Sequence, residues 1–216
     1  MRNICLGIDT TGNWCSVALV DDAGVLAATC EEMSRGHAER LGPMAEALLA
    51  KAEIRVRDIT KISVCAGPGS FTGLRVGMSF AKGLALPHDI PVVGISTLEV
   101  WAFAHDPMQE GLAQKSSVLA VADVRRGQVF WQVFKNGKPL TPTTLTDVET
   151  AQKQLTPQMG CVGNGAHLLG AFNEQSNYVC PKRLAWIGID RSVKTHPATP
   201  LYHRPPDAKL PGGKSL

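Results

Sequence analysis

The 216-residue chain has 22 Lys and Arg residues against 19 Asp and Glu residues, and 44% of its residues are hydrophobic. This composition supports one large domain or two small ones with a substantial core, so a disordered chain is excluded. The formal net charge of +3 is too small to indicate nucleic-acid binding by itself, so any such role has to be local or borrowed from a partner.

The N-terminal apolar run is short and reaches Asp9 within a few residues. We therefore expect neither a signal peptide nor a membrane span there. The six cysteines contain no C-x-x-C pair and mostly fall inside apolar runs, which favours reduced core thiols over disulfides or zinc ligands. Together these features predict a cytoplasmic protein.

Three short strand-like runs open the chain, and short turns separate them. They cover residues 4–9, 15–21 and 25–31. Two connections of that length predict an antiparallel meander at the start of a sheet.

The period then changes, and residues 37–52 carry apolar side chains at three- and four-residue steps. This spacing predicts an amphipathic helix. Gly42 and Pro43 interrupt it, because proline inside a helix costs about 3 kcal/mol unless it falls in the first turn. The helix therefore either starts near Gly42 or is kinked there.

A predicted strand over residues 61–66 leads into the turn 67–70 and then into a predicted helix over residues 71–86. Ser70 is a good N-cap for this helix. Backbone N–H groups at such a helix start can hold an anion, although an ordinary strand-to-helix turn has the same pattern. No Gly-Lys-Ser/Thr follows, so a P-loop is excluded.

Small residues recur at four-residue steps in that second helix, which predicts close internal packing. They are Gly73, Gly77 and Ala81. A strand over residues 91–95 and a capping box over residues 96–99 follow, the latter opening a short helix. The resulting β-β-β-α-β-α-β-α order is typical of a mixed α/β lobe.

A polar linker precedes a second strand-rich unit. Its predicted features are strands at residues 117–123, 128–135 and 160–163, a turn at Asn136-Gly137, and a helix to residue 155 that Asp147 caps. We predict an N-terminal lobe over residues 1–105, a reduced second lobe over residues 106–193, and an irregular tail over residues 194–216.

Asp9, Thr10 and Thr11 end the first strand and could place a carboxylate and two hydroxyls around a phosphate or Mg²⁺. With the loop residues Gly67, Gly69 and Ser70 they are the candidates for a cofactor site. The same residue types also simply begin a turn at a strand end. Asp123 ends a later strand in a similar place, and this pair gains meaning only if the two strand ends are adjacent.

No metal-binding or nucleophilic pattern is found. His37 begins the first predicted helix, but the residue four positions on is Leu41, so the His-x-x-x-His pair that grips a metal is missing. G-x-S-x-G does not occur either. We therefore predict no catalytic residue and no metal ligand.

Four strings carry a resemblance to a known family. They are GIDTT, SRGHAERLGPM, GPGSFTGLRVG and ADVRRGQVF. The chain resembles the bacterial TsaB (YeaZ) family, with the match running from Met1 to about Phe134. The resemblance implies an α/β, actin-like or sugar-kinase-type ATPase fold of two lobes, each with a central mixed β-sheet, the second being reduced.

The resemblance also implies a function. The TsaB protein is the companion of the TsaD transferase, which carries the metal motif and the nucleotide site, and both act with the ATPase TsaE to form threonylcarbamoyladenosine beside the anticodon of tRNA. This chain is then expected to be a non-catalytic scaffold or activator with no cofactor of its own. ATP or ADP would bind only at the level of the complex, and tRNA only through it.

Both predicted helices of the first lobe carry more apolar and small surface than one contact with a sheet uses. As the resemblance implies, we expect them to contact a TsaD-like subunit, and to form a homodimer when that partner is missing. The predicted interface residues are His37, Arg40, Leu41, Met44, Phe71, Thr72, Arg75, Val76 and Ser79.

The chain departs from the family pattern in three places. Val124 and Phe130 stand where Ala and Tyr are expected, Gly42 interrupts the first helix, and residues 185–190 lack helical character. A second function stays open, namely a small ATP-dependent kinase or hydrolase that uses the Asp9 strand end and the glycine-rich turn.

Overall fold

The computed structural model describes residues 2–103, 117–171 and 178–201. The predicted linker over residues 105–115 and the tail beyond residue 201 lie outside the described residues.

The first five strands form one mixed sheet in the order β3-β2-β1-β4-β5. They are β1 (Ile4–Asp9), β2 (Trp14–Asp21), β3 (Gly24–Glu32), β4 (Lys61–Gly67) and β5 (Val92–Ser96). The first three strands are antiparallel because short turns join them, whereas β4 and β5 run parallel to β1 after helical crossovers. The predicted meander is thus confirmed.

Helices α1 (His37–Lys51) and α2 (Phe71–Ala85) supply those crossovers and pack on the sheet. Their apolar stripes share a core with alternate residues of β1, β2 and β4. Helix α1 runs unbroken through Pro43, so a start near Gly42 is wrong.

A short helix α3 (Thr97–Ala102) follows β5 directly. The Ser96 hydroxyl accepts from the Leu98 N–H at 3.2 Å and so caps this helix. The predicted capping box is not formed, because the Glu99 carboxylate instead accepts from Arg191 at 2.6 Å. This long-range ion pair outcompetes the local bond.

The second sheet is also mixed and five-stranded. It consists of β6 (Val118–Asp123), β7 (Gln128–Lys135), β8 (Lys138–Pro139), β9 (Thr144–Asp147) and β10 (Gly160–Val162). Strand β10 pairs parallel with β6, and the other pairs are antiparallel. The strands β8 and β9 are too short for an alternating pattern, so sequence analysis missed them.

The predicted turn signals of this half are confirmed. Asn136 and Gly137 adopt φ angles of 50° and 71° between β7 and β8, as a tight hairpin turn requires. Asp147 caps α4 (Val148–Gln152) by accepting from the Thr150 N–H at 2.7 Å.

Helix α5 (Pro181–Ile189) corrects two predictions. The sequence predicts that residues 185–190 lack helical character and that this segment belongs to the second lobe. The helix instead extends to Ile189 and packs on β1, β2 and β4 of the first sheet. Gly7 makes this possible, since a side chain there would collide with the Pro181 carbonyl. The Ser63 hydroxyl also donates to the Leu184 carbonyl at 2.7 Å.

The two sheets share a buried apolar core. Its residues come from the end of the first sheet, from α3 and α5, and from the inner face of the second sheet, and include Ile95, Leu98, Trp101, Val118, Ala120, Phe134 and Leu184. The last described residues run beside the β5 edge, where the Gly94 N–H donates to the His196 carbonyl at 3.1 Å. No described helix has the length and apolar character needed to cross a bilayer.

Two helical glycines provide a test of the α5 packing. A side chain at Gly188 would collide with Ser63, whereas nothing lies within 4 Å of a side chain built at exposed Gly83 in α2. We expect Gly188→Ala to lower the free energy of unfolding by about 1–3 kcal/mol through overpacking. Gly83→Ala should raise it by up to about 1 kcal/mol through helix propensity. Urea unfolding measures both, and equal shifts would contradict the packing.

Candidate functional site

The end of β1 and the start of α2 lie in direct contact, so the structure brings the predicted cofactor residues together. The Ser70 N–H donates to the Thr11 carbonyl at 2.8 Å, and the Thr10 hydroxyl donates to the Gly73 carbonyl at 2.7 Å. A side chain at Gly69 would lie 2.7 Å from the Thr11 Cβ. The glycine spacing is therefore explained by close approach of these two segments.

Asp9 ends β1, next to Thr10, and is only 1% exposed. Its Oδ1 accepts from the Thr11 hydroxyl at 2.6 Å and from the Thr11 N–H at 3.1 Å. Its Oδ2 is buried and has no hydrogen-bond partner in the part of the chain that the structure describes. Burial raises the pKa of Asp9 to about 6, although the bonds from Thr11 oppose the shift.

Two further side chains surround Asp9 that no sequence motif indicated. The Cys65 sulfur lies 3.6 Å from the Thr11 hydroxyl and 3.1 Å from the Thr97 hydroxyl. Burial raises the pKa of the Cys65 thiol to about 12, so it stays protonated at neutral pH. Cys65 lies near the end of β4, and Thr97 directly follows β5; this position is the signal that could have identified them.

Tyr178 was also missed, because it precedes α5 in a stretch without a motif. Its ring packs edge-on against Trp14 with the ring centroids 5.5 Å apart, and its carbonyl accepts from the Trp101 indole N–H at 3.2 Å. Burial raises the pKa of its hydroxyl, and the nearby Asp9 charge adds to the shift.

The fold class implies a nucleotide near this loop, so the fit of a phosphate group can be tested. The Gly73 N–H donates to the Ser70 hydroxyl at 3.2 Å, and the Leu74 N–H donates to the Ser70 carbonyl at 2.8 Å. With the Ser70 N–H bound to Thr11, these donors are already satisfied within the chain. The N–H groups of these three residues are therefore not available to a phosphate, as in an ordinary strand-to-helix turn.

Among the described residues, no hydrogen bond joins Asp9 to Asp123, and the two carboxylates have different partners. The Asp123 Oδ1 accepts from the Arg125 N–H at 2.7 Å, and its own N–H donates to the Asn164 side chain at 2.8 Å. Within residues 2–103, 117–171 and 178–201, no group of three or more His, Cys, Asp or Glu residues is placed to hold a metal.

The predicted interface residues of α1 need a correction. Leu41 and Met44 are 1% and 2% exposed and belong to the core of the first sheet. These two side chains, which the sequence predicts at a partner-binding surface, instead face the strands of the first sheet. His37 is half-buried, and exposed Arg40 forms an ion pair with Glu31.

Helix α2 does present a surface. We call Phe71, Thr72, Arg75, Val76 and Ser79 the α2 face; all are exposed except half-buried Val76. Phe71 is 47% exposed, and the Arg75 guanidinium lies 3.9 Å from the centre of its ring. This cation–π contact holds both side chains at the helix start.

Residues 28–158 match the TsaD family, described as tRNA N6-adenosine threonylcarbamoyltransferase. The chain is 38% identical over 133 residues to the Escherichia coli tRNA threonylcarbamoyladenosine biosynthesis protein TsaB, an alignment that covers 60% of this chain and 54% of that protein. The chain thus spans about half the length of this relative.

Other relatives are covered more fully. The TsaB protein of Buchnera aphidicola is 30% identical over 175 residues, which cover 76% of this chain and 80% of that protein. The structure of YeaZ from Pseudomonas aeruginosa superposes with a TM-score of 0.73 at 23% identity, covering 93% of this chain and 99% of that one. The predicted fold class, with a mixed sheet in each half, is confirmed.

The raised pKa of Asp9 predicts how the free energy of unfolding depends on pH. Because the folded state raises the pKa of Asp9 from 3.8 to about 6, the folded state binds the extra proton between these values. The free energy of unfolding should therefore fall by about 2 kcal/mol between pH 4 and pH 6 from this group, and by about 3 kcal/mol in all once the pH exceeds about 7.

Asp9→Asn removes this ionisation and should be more stable than the wild type at pH 8 but not at pH 4. Chemical denaturation at the two pH values measures the difference. Asp190→Asn, at an exposed position, is the control. If Asp9→Asn is less stable than the wild type by equal amounts at both pH values, the hydrogen bonds from Thr11 stabilise the fold by more than burial of the carboxylate destabilises it.

Proposed function

Since this chain belongs to the TsaB family, we propose that it acts in the formation of threonylcarbamoyladenosine in tRNA as a non-catalytic subunit that supports a TsaD-type transferase. The relatives' names supply the pathway. What supports a non-catalytic role is the burial of Asp9, which is 1% exposed, together with the contact between Thr10-Thr11 and the start of α2.

The burial of Asp9 and Thr11 limits the reactions in which these residues could take part. Threonylcarbamoyl transfer requires an activated donor and a group that stabilises developing charge on it. Asp9 and Thr11 are the residue types that could take part, but they bind each other and both are buried. The alternative of a kinase or hydrolase would need this contact to open, and the sealed geometry favours the scaffold.

The proposed partner surface is the α2 face. It lies on the outside of the first sheet and combines an exposed aromatic ring with a fixed guanidinium, and both residue types are enriched at protein interfaces. A TsaD-like subunit is the proposed occupant, with a TsaE-like ATPase in the same complex. A homodimer would use the same face when the partner is missing.

The remaining parts of the proposal follow from this role. The protein brings no cofactor of its own, and ATP or ADP enters only through the complex. It works in the cytoplasm, where tRNA is modified and where its six free thiols stay reduced. A companion of this kind acts by binding one conformation of its partner better than another.

Reconstitution tests the proposed function. Threonylcarbamoyl transfer is measured with TsaD, TsaE, unmodified tRNA and the substrates, with this protein omitted or restored. We expect omission to stop multiple turnover and the wild type to restore it. Asp9→Asn should restore turnover nearly in full, because the scaffold does not use the carboxylate as a catalyst.

Partner binding separates the possible failures. If Asp9→Asn binds TsaD normally but does not support turnover, the carboxylate takes part in the chemistry and the enzyme interpretation replaces the scaffold. If omission has no effect on turnover, the proposed function itself is wrong.

A second experiment tests the α2 face. Phe71→Asp places a charge where the partner should bury an aromatic ring, so we expect affinity for TsaD to fall by at least about a hundredfold, the cost of an interface hot spot. Leu86→Asp is the matched control, because Leu86 is 78% exposed and lies just beyond the other end of α2. Calorimetry measures both affinities.

Both variants should fold, because both side chains are exposed, and unfolding curves verify this. Met44 is unsuitable for the same purpose, since a charge there would be buried in the core. Equal affinities of Phe71→Asp and Leu86→Asp for TsaD would move the interface away from the α2 face.

A further inference from the structure

Two buried polar side chains of the first sheet each have an atom without a hydrogen-bond partner among the described residues. They are Asp9, through its Oδ2, and Ser16, through its hydroxyl. Asp9 is 1% exposed and Ser16 is 0% exposed. Burying such an oxygen without a partner costs free energy, and native folds usually satisfy it with a protein group or an ordered water. Each atom thus needs a partner that the described residues do not supply.

The strand register places these two side chains next to each other. Asp9 of β1 is the Cα partner of Ser16 in the antiparallel pair of β1 and β2, so both side chains leave the sheet on the same face. Residues directly opposite in this way have Cβ atoms about 4.5–5.5 Å apart. No hydrogen bond joins the two side chains. The separation therefore suits one small molecule that bonds to both.

The face that they share is the one that α5 covers. Gly7, two positions before Asp9, leaves room for the Pro181 carbonyl at the start of α5. Ser63, the neighbour of Gly7 on β4, donates its hydroxyl to the Leu184 carbonyl of the same helix. The two unpartnered oxygens thus lie between a sheet and a packed helix, where bulk solvent does not satisfy them.

The chemistry of the two oxygens defines what can bridge them. The Asp9 Oδ1 is occupied by the N–H and hydroxyl of Thr11, and the ionised Oδ2 can only accept a hydrogen bond. The Ser16 hydroxyl can donate one hydrogen bond. A bridging molecule must therefore donate to Oδ2 and accept from Ser16.

Water combines this donor and acceptor in the smallest volume. An anion would be repelled by Asp9, and an apolar molecule would leave both oxygens unpartnered. In the part of the chain that the structure describes, no group of three or more His, Cys, Asp or Glu residues could hold a metal ion. Independently of the proposed function, we propose that one ordered water molecule bridges the Asp9 Oδ2 and the Ser16 hydroxyl and links β1 to β2 next to α5.

The third strand gives this site its side towards solvent. Cys30 of β3 is the Cα partner of Ser16 on the same face of the sheet, and its side chain is exposed. Trp14, two positions before Ser16, packs edge-on against Tyr178 with the ring centroids 5.5 Å apart. The water should therefore exchange with solvent past Cys30, but slowly, because the residues that hold it are buried.

The test compares two Ser16 variants of the same shape in the full chain. Ser16→Thr keeps the hydroxyl, whereas Ser16→Val puts a methyl group in its place and removes one partner of the water. Oxygen-17 relaxation dispersion of the solvent counts the long-lived buried waters. We expect Ser16→Thr to hold as many as the wild type, and about one more per chain than Ser16→Val.

Urea unfolding is an independent measurement. If the hydroxyl bonds to a water, Ser16→Val should unfold at a lower urea concentration than Ser16→Thr. A buried hydroxyl without a partner predicts the opposite order, because a methyl group is then less costly to bury. In an Asp9→Leu background the water lacks its second partner, so the difference in urea midpoint between the two Ser16 variants should shrink.

Ser63→Ala is the matched control. Ser63 is also 0% exposed and lies on the same face of the sheet, on the other side of β1, but its hydroxyl bonds directly to the Leu184 carbonyl at 2.7 Å. We expect this variant to lower the urea midpoint without changing the number of long-lived waters.

Equal water counts in the two Ser16 variants would overturn the proposal, and so would a higher urea midpoint for Ser16→Val. If Ser16→Val does not fold, a high-resolution crystal structure of the wild type decides. We expect a water within about 3.2 Å of both oxygens. A direct bond between the oxygens, or a cation bound to both, would contradict the bridge. These measurements use the chain alone, so failure of the proposed function leaves them unaffected.

Discussion

The contact between the Thr10-Thr11 turn and the start of α2 determines how the rest of the first lobe is arranged. It joins the end of β1 to the helix that follows β4, so two segments about sixty residues apart are locked at the same edge of the sheet. Gly69 and Gly73 are required because any side chain there would collide with the threonines.

Burial of the Asp9 carboxylate is unfavourable in free energy. One oxygen of this carboxylate is hydrogen-bonded, the other is buried without a partner among the described residues, and this burial opposes ionisation. In an enzyme such an arrangement would prepare an acid for catalysis. Here the same geometry removes the group from solvent, and this supports a role in which surfaces, not reactive groups, carry the function.

Those surfaces are held by a continuous framework. Helix α5, late in the sequence, packs on the first sheet, while the core between the sheets draws residues from both halves of the chain. Movement of one sheet would therefore disturb packing on the other, because close-packed interiors transmit strain. The proposed scaffold role of the α2 face gains fixed geometry from this shared core.

The sequence by itself determined the elements whose signals are local. The Ser70 cap, the Asn136-Gly137 turn and the short apolar runs of β1 and β2 depend on neighbours in the chain, and the four motif strings were specific enough to indicate the family. Only the tertiary structure decided burial and long-range pairing. The spacing of Leu41 and Met44 fits a helix face that binds a partner as well as one that packs in the core. Periodicity shows that a helix has an apolar face, but not what that face packs against. Helix α5 and the Glu99–Arg191 ion pair likewise depend on segments far apart in sequence, whose contacts override local preference.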